Sequence, residues 1–183
     1  MKTVQPIRNP EDIRKMEQIL KSQSERNYIL FRLGVNSGLR ISDILNLKVK
    51  HVKNQTHFNL KEQKTSKSNR IKINPKLKLE LDSYIKGMND EEYLFKSREG
   101  SNSPIQRMQA WRILNKAASE IGLTEIGTHT LRKTFGYHMY KQCSNIEIVQ
   151  KFLNHSSPHV TLAYIGITQD SMDDLIDNCE FAI

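Results

Sequence analysis

Arg40, Lys64, His129, Arg132, His155 and Tyr164 are residue types that together could hold an anionic phosphate and attack it. Arg40 lies in Gly38-Leu39-Arg40-Ile41-Ser42-Asp43, just ahead of an expected helix, where backbone N–H groups already favour phosphate. Asp43, three residues on, could hold the guanidinium in place. An arginine near a helix start is more often a plain surface charge. His129 and Arg132, in His129-Thr130-Leu131-Arg132, stand at i and i+3 and share one helix face. With Thr128 as cap, imidazole, guanidinium and free backbone N–H groups would converge on one anion. Lys64 belongs to Lys64-Thr65-Ser66-Lys67-Ser68-Asn69-Arg70, a loop that could carry an ammonium into a groove, or be solvated like most loop lysines. His155 follows Leu153-Asn154, and a histidine just past a helix end is often a C-terminal cap. Tyr164 closes Val160-Thr161-Leu162-Ala163-Tyr164, nine residues after His155, and by itself would read as core or interface.

The elements that must carry these residues are mostly helices. Asn9 with Pro10, and acids Glu11 and Asp12, predict a helix to about residue 21. Ser24 caps a second, broken near Ser37-Gly38, and Ser42 a short third through Leu47. Val49 and Val52, then residues 57–60, then residues 71–73 read as three short strands, with residues 63–69 as the connection between the last two. Helices resume after Asn74-Pro75, Ser103-Pro104, Thr128, and Ser144 or Asn145, with a shorter one across residues 160–164. Ser171 caps the last, along which Met172, Leu175, Ile176 and Cys179 repeat at helical spacing. The expected fold class is α+β, mainly α-helical with a small three-stranded antiparallel sheet.

The 183 residues suit one domain with a real core, or two at most. No stretch approaches the 18 or so apolar residues a membrane span needs, and the N-terminus has no apolar signal region, so a cytoplasmic protein is expected. Cys143 and Cys179 have no CxxC or Cys/His ligand spacing, which argues against zinc, and a disulfide does not suit a reducing compartment. The net charge of +8 and a pI of 9.5 favour a polyanionic partner, nucleic acid first. Lys61, Lys64, Lys67, Arg70, Lys72, Lys76 and Lys78 crowd one segment, which could be a binding face or merely a solvated one.

Taken in order, Arg40, Lys64, His129-x-x-Arg132, His155 and Tyr164 resemble the catalytic set of the tyrosine recombinases, the phage integrase family. The resemblance runs over roughly residues 10–168. It implies that family's catalytic-domain fold. Tyr164 would be the nucleophile that forms a 3′-phosphotyrosine on DNA, and Arg40 and Arg132 the donors to the phosphate. His129 would accept or relay the phenol proton, His155 would hydrogen-bond the phosphate, and Lys64 would be the general acid for the departing 5′-oxygen. The two guanidiniums and His129 would favour the phenolate. Asp43 supports Arg40, and Lys61, Lys67, Arg70 and Lys133 contact DNA. No metal, ATP or other cofactor is required. The partners implied are double-stranded DNA and further copies of the chain, a tetramer on DNA by analogy with the family. Residues 1–183 then form a single catalytic domain, with the tail, residues 169–183, docking on a neighbouring protomer or folding back on its own. The N-terminal core-binding domain of most members is expected to be absent. Departures are Asn154 where the family often has Gly, Asp43 where it commonly has Glu, and Lys133 where it often has His. The competing readings are strand relaxation in the manner of a type IB topoisomerase, and a DNA-binding regulator without recombination activity. A nuclease would normally need clustered metal-binding carboxylates, which the sequence does not offer.

Overall fold

The computed structural model describes residues 4–61 and 68–177. Helix α1, Pro10–Gln23, starts as its sequence predicts: Asn9 accepts from the Glu11 backbone N–H at 2.9 Å and Pro10 opens the first turn. Helix α2, Glu25–Ser37, follows Ser24 directly and ends on Gly38 at φ +64°. A Cβ on Gly38 would also meet the Phe135 ring at 2.4 Å, so the break before Arg40 needs glycine twice over. Arg40, rather than Ser42, then stands at the N-cap of α3, Ile41–Leu45.

Two antiparallel strands follow, β1, His57–Lys61, and β2, Ser68–Lys72, with Phe58 opposite Ile71 and Asn59 opposite Arg70. The expected third strand is not one. Val49 and Val52 lie in and just after a 3₁₀ turn, Val49–His51, and both are fully buried. Residues at i and i+3 eclipse in a 3₁₀ turn, so two valines three apart go to the core without any strand. The sheet among the described residues is two-stranded.

Five more helices follow ahead of the tail: α4, Pro75–Tyr84; α5, Arg107–Ser119; α6, Thr130–Cys143; α7, Ile146–Leu153; and α8, Pro158–Ile165. A last helix, α9, Ile167–Asp177, runs through Ser171 rather than starting there. Asn74 and Asn145 cap α4 and α7 with their side chains as expected. Ser103 and Thr128 do not cap. Pro104 is held in an isolated bridge to Lys96, which delays α5 to Arg107, and His129 takes the N-cap place of α6.

The main core gathers Met16, Leu20, Phe31, Leu33, Phe58 and Phe95, all fully buried or nearly so. A smaller cluster of Tyr137, Val149, Leu153 and Ile165 binds α7 and α8 to α6. Gly34 lets α2 press on α6, since a Cβ there would lie 2.4 Å from Leu131. Residues ahead of α1 form a strap over α6: the Ile7 N–H donates to Thr134 Oγ1 and its carbonyl meets His138 Nε2, both at 2.9 Å. Helix α6 is thus clamped between α2, the strap and the α7–α8 pair.

Candidate active site

Arg132 is 4% exposed and joins two helix ends. Its Nη1 donates to the Gly38 carbonyl, where α2 stops, and its Nη2 to the Leu153 carbonyl, where α7 stops, at 2.5 Å. Carbonyls at helix C-termini favour a cation, so this guanidinium is fixed by the backbone at both sides. Arg40, two residues after Gly38, is half-buried at the start of α3. Asp43 is 8% exposed one turn along the same helix.

His155 stands one residue past Asn154, which closes α7 in the left-handed region at φ +50°. Gly and Asn are the residues that adopt this conformation most readily, which explains why Asn can replace Gly in this motif. The His155 N–H donates to the Gln150 carbonyl, and Gln150 Nε2 donates to the His155 carbonyl, each at 3.1 Å. The ring is held too. Its Nδ1 lies 3.2 Å from Thr161 Oγ1, and that hydroxyl donates to the Ser157 carbonyl at 3.0 Å. With the Thr161 proton directed to Ser157, its oxygen accepts, so Nδ1 carries the imidazole proton and Nε2 presents a lone pair.

Tyr164 is half-buried near the end of α8, and its ring meets His155 edge-to-face at 4.8 Å and 75°. Burial pushes the Tyr164 phenol above its ordinary value of 10. Arg132, by charge and by a hydrogen bond, and Arg40, by charge, pull it down without cancelling the rise. The expected bias toward phenolate is therefore not met in the free protein: desolvation of the charged form outweighs two guanidiniums. Desolvation first, and then Arg132 and Arg40, lower His155 to about 4. His129 is exposed at the start of α6 and is lowered by desolvation and then by Arg107, Lys133, Arg132 and Arg40. Arg40, His129, Arg132, His155 and Tyr164 thus share one electrostatic site.

Two of the expected site residues, Lys64 and Lys67, lie outside the described residues. Lys61 ends β1, and Arg70 is exposed on β2. Lys133 is placed otherwise than its reading as a DNA contact suggests: it is 7% exposed, with Nζ 5.1 Å from the centre of the Tyr164 ring. The sequence reading missed Arg107, whose Nη2 lies 3.5 Å from His129 Nε2, because the start of α5 was placed too early. It also missed Thr161. Its spacing from His155 is a possible signal, but only the turn between α7 and α8 brings the two together.

The profile described as "Phage integrase family" matches residues 9–170. The chain belongs to the phage integrase family. It is 52% identical over 171 residues to "Probable integrase/recombinase YoeC" of Bacillus subtilis (strain 168), covering 93% of this chain and 94% of that one. Among solved structures it resembles the XerA recombinase, with a TM-score of 0.76 at 18% identity over 98% of this chain and 66% of the other. It also resembles the XerH site-specific recombinase bound to palindromic difH substrate in a post-cleavage complex, with a TM-score of 0.72 at 19% identity over 97% and 54%. At these identities the two structures show the fold, that of a tyrosine recombinase catalytic domain. This integrase-family chain spans two thirds or less of both recombinases, and nearly all of YoeC.

Proposed function

We propose that this domain cleaves and rejoins duplex DNA through a covalent 3′-phosphotyrosine at Tyr164, and so carries out site-specific recombination. The observation that supports it most directly is the gathering of groups at one phenol: the Tyr164 ring lies edge-to-face on His155 at 4.8 Å, and Arg132 and Arg40 act on both residues.

The scissile phosphate is anionic and gains charge as it becomes pentacoordinate, so it sits against Arg40 and Arg132. A preorganised donor of this kind is worth roughly 3–4 kcal/mol in a water-poor site. Tyr164 Oη attacks phosphorus, forming the new P–O bond as the bond to the 5′-oxygen breaks. The phenol proton leaves for the neutral imidazole of His129, and Lys64 protonates the 5′-oxygen. His155 begins with Nε2 unprotonated. Desolvation first, and then the two guanidiniums, hold it so; the arriving phosphate opposes the guanidiniums, and a proton taken up from solvent at Nε2 makes it a donor to a non-bridging oxygen. The bond energy stays in the phosphotyrosine, and the 5′-hydroxyl of a second strand reverses the steps. Exchange between duplexes calls for a homo-oligomer on DNA, with Lys61, Lys67 and Arg70 on the backbone and the tail, residues 169–183, as a contact between protomers.

The test is a denaturing gel of the protein with nicked duplexes from around its own gene, in EDTA and without ATP. Wild type yields a protein–DNA adduct and Tyr164→Phe yields none. An adduct that persists in Tyr164→Phe rejects this nucleophile. A gel shift without an adduct favours a DNA-binding regulator.

A further inference from the structure

Lys133 is a buried ion to which the steps above give no task. It is 7% exposed, and no carboxylate pairs with it among the described residues. A desolvated ammonium without a counter-ion is costly to keep. Asp170, one of several acids around Arg8, is bonded to that arginine at 2.6 Å, and Arg8 is a further cation acting on Lys133. The favourable neighbour that Lys133 does have is the face of Tyr164, 5.1 Å from Nζ to the ring centre. A cation over a phenol face is attracted by the ring quadrupole, and more strongly where water is excluded. The ammonium lies over the ring and not at the hydroxyl, so this geometry orients the phenol and does not move its proton.

We propose that Lys133 is a positioning residue for Tyr164: its ammonium over the ring face, with His155 against the same ring, holds the phenol turned toward Arg132. This rests on Tyr164 being the nucleophile. A quarter-turn of the ring about Cβ–Cγ would take its π face away from the cation. The arrangement also couples the two partners of the reaction. Helix α6 carries Arg132 to the phosphate and, one residue on, Lys133 to the nucleophile. Any shift of α6 against α8 changes both together.

Fluorine NMR of the full chain without DNA, with meta-fluorotyrosine at all six tyrosines, tests this. The Tyr164 line is identified by its loss in Tyr164→Phe. In Lys133→Met it is expected to split or to move by more than its linewidth while the other five lines hold, and in Lys133→Arg to return to one line. A Tyr164 line that does not change in Lys133→Met overturns the proposal. The second measurement is adduct formation on a nicked duplex that wild type labels. Lys133→Met should slow it about tenfold at saturating DNA, with affinity within about twofold, and Lys133→Arg should recover most of the rate. Equal slowing by both variants, or a loss confined to affinity, overturns it. If wild type forms no adduct, the nucleophile reading fails, and the fluorine line still decides whether Lys133 sets the ring.

Discussion

Burial and two guanidiniums hold His155 at about 4, against an ordinary 6.5, and this has a consequence for stability. The unfolded chain takes up the proton first as pH falls, so His155 favours the fold fully above pH 6.5, and this contribution fades as pH drops toward about 4. Thermal unfolding should show wild type losing more stability than His155→Gln on going down through that window. Parallel curves would mean that the imidazole is not held neutral. Thr161 makes a second prediction at the same site. It is fully buried, and Thr161→Val keeps its shape while leaving Nδ1–H without an acceptor. An unsatisfied buried donor costs about 1–3 kcal/mol, visible in urea unfolding, and adduct formation should fall about tenfold as the tautomer loosens. Thr161→Ser should stay near wild type, and a valine variant as fast as wild type would remove Thr161 from the site. Motif residues were legible in sequence because each sits in a short pattern tied to a helix end. Thr161, Arg107 and the burial of Lys133 were not, because contacts between elements far apart in space decide them.

Helix ends are the elements' contribution to this site. Arg40, Arg132 and His155 all depend on where α2 and α7 stop, and both stop on a left-handed residue, Gly38 and Asn154. Gly38→Ala should lose about 2–5 kcal/mol, from the left-handed strain of a non-glycine residue together with overpacking against Phe135. Because Arg132 also bonds the Gly38 carbonyl, the same variant should slow adduct formation more than the lost stability explains. Asn154→Gly, at a position whose φ suits glycine, should unfold within about 1 kcal/mol of wild type. Urea unfolding separates the two, and a harmless Gly38→Ala would show that the turn can be made another way. The sequence announced those helices that are capped by their own side chains, from Asn9, Asn74 and Asn145. It misplaced the starts near Ser42, Ser103 and Thr128, where tertiary contacts fix the first turn. The valines of the 3₁₀ turn misled for a related reason: burial of both residues is common to a strand and to that turn.

Across the whole molecule the net charge of +8 is unevenly countered. Away from the site, Glu91 pairs with Lys48 at 2.8 Å and Lys50 at 2.6 Å, and Asp90 with Lys53 at 2.7 Å. The two lysines pull the Glu91 carboxyl down to about 2. These cations already have carboxylate neighbours, so replacing them with a phosphate gains less. Around Tyr164 the cations Arg40, Arg107, Arg132 and Lys133 all act on His129, and Arg132 and Arg40 act on His155 as well. A duplex should therefore contact Arg107, beside His129, and the exposed Arg70 of β2, and leave Lys48 and Lys50 to their carboxylates. Each phosphate contact removed lowers the slope of log affinity against log salt by about 0.9. Fluorescence anisotropy with a random duplex between ~50 and ~200 mM salt should show that loss for Arg107→Gln and for Arg70→Gln, and almost none for Lys48→Gln or Lys50→Gln. The contrast matters more than the absolute affinity, because all four variants lose one positive charge. Four equal slopes would mean that the duplex responds to total charge alone, and the orientation of the domain on DNA inferred from its active site would then be wrong.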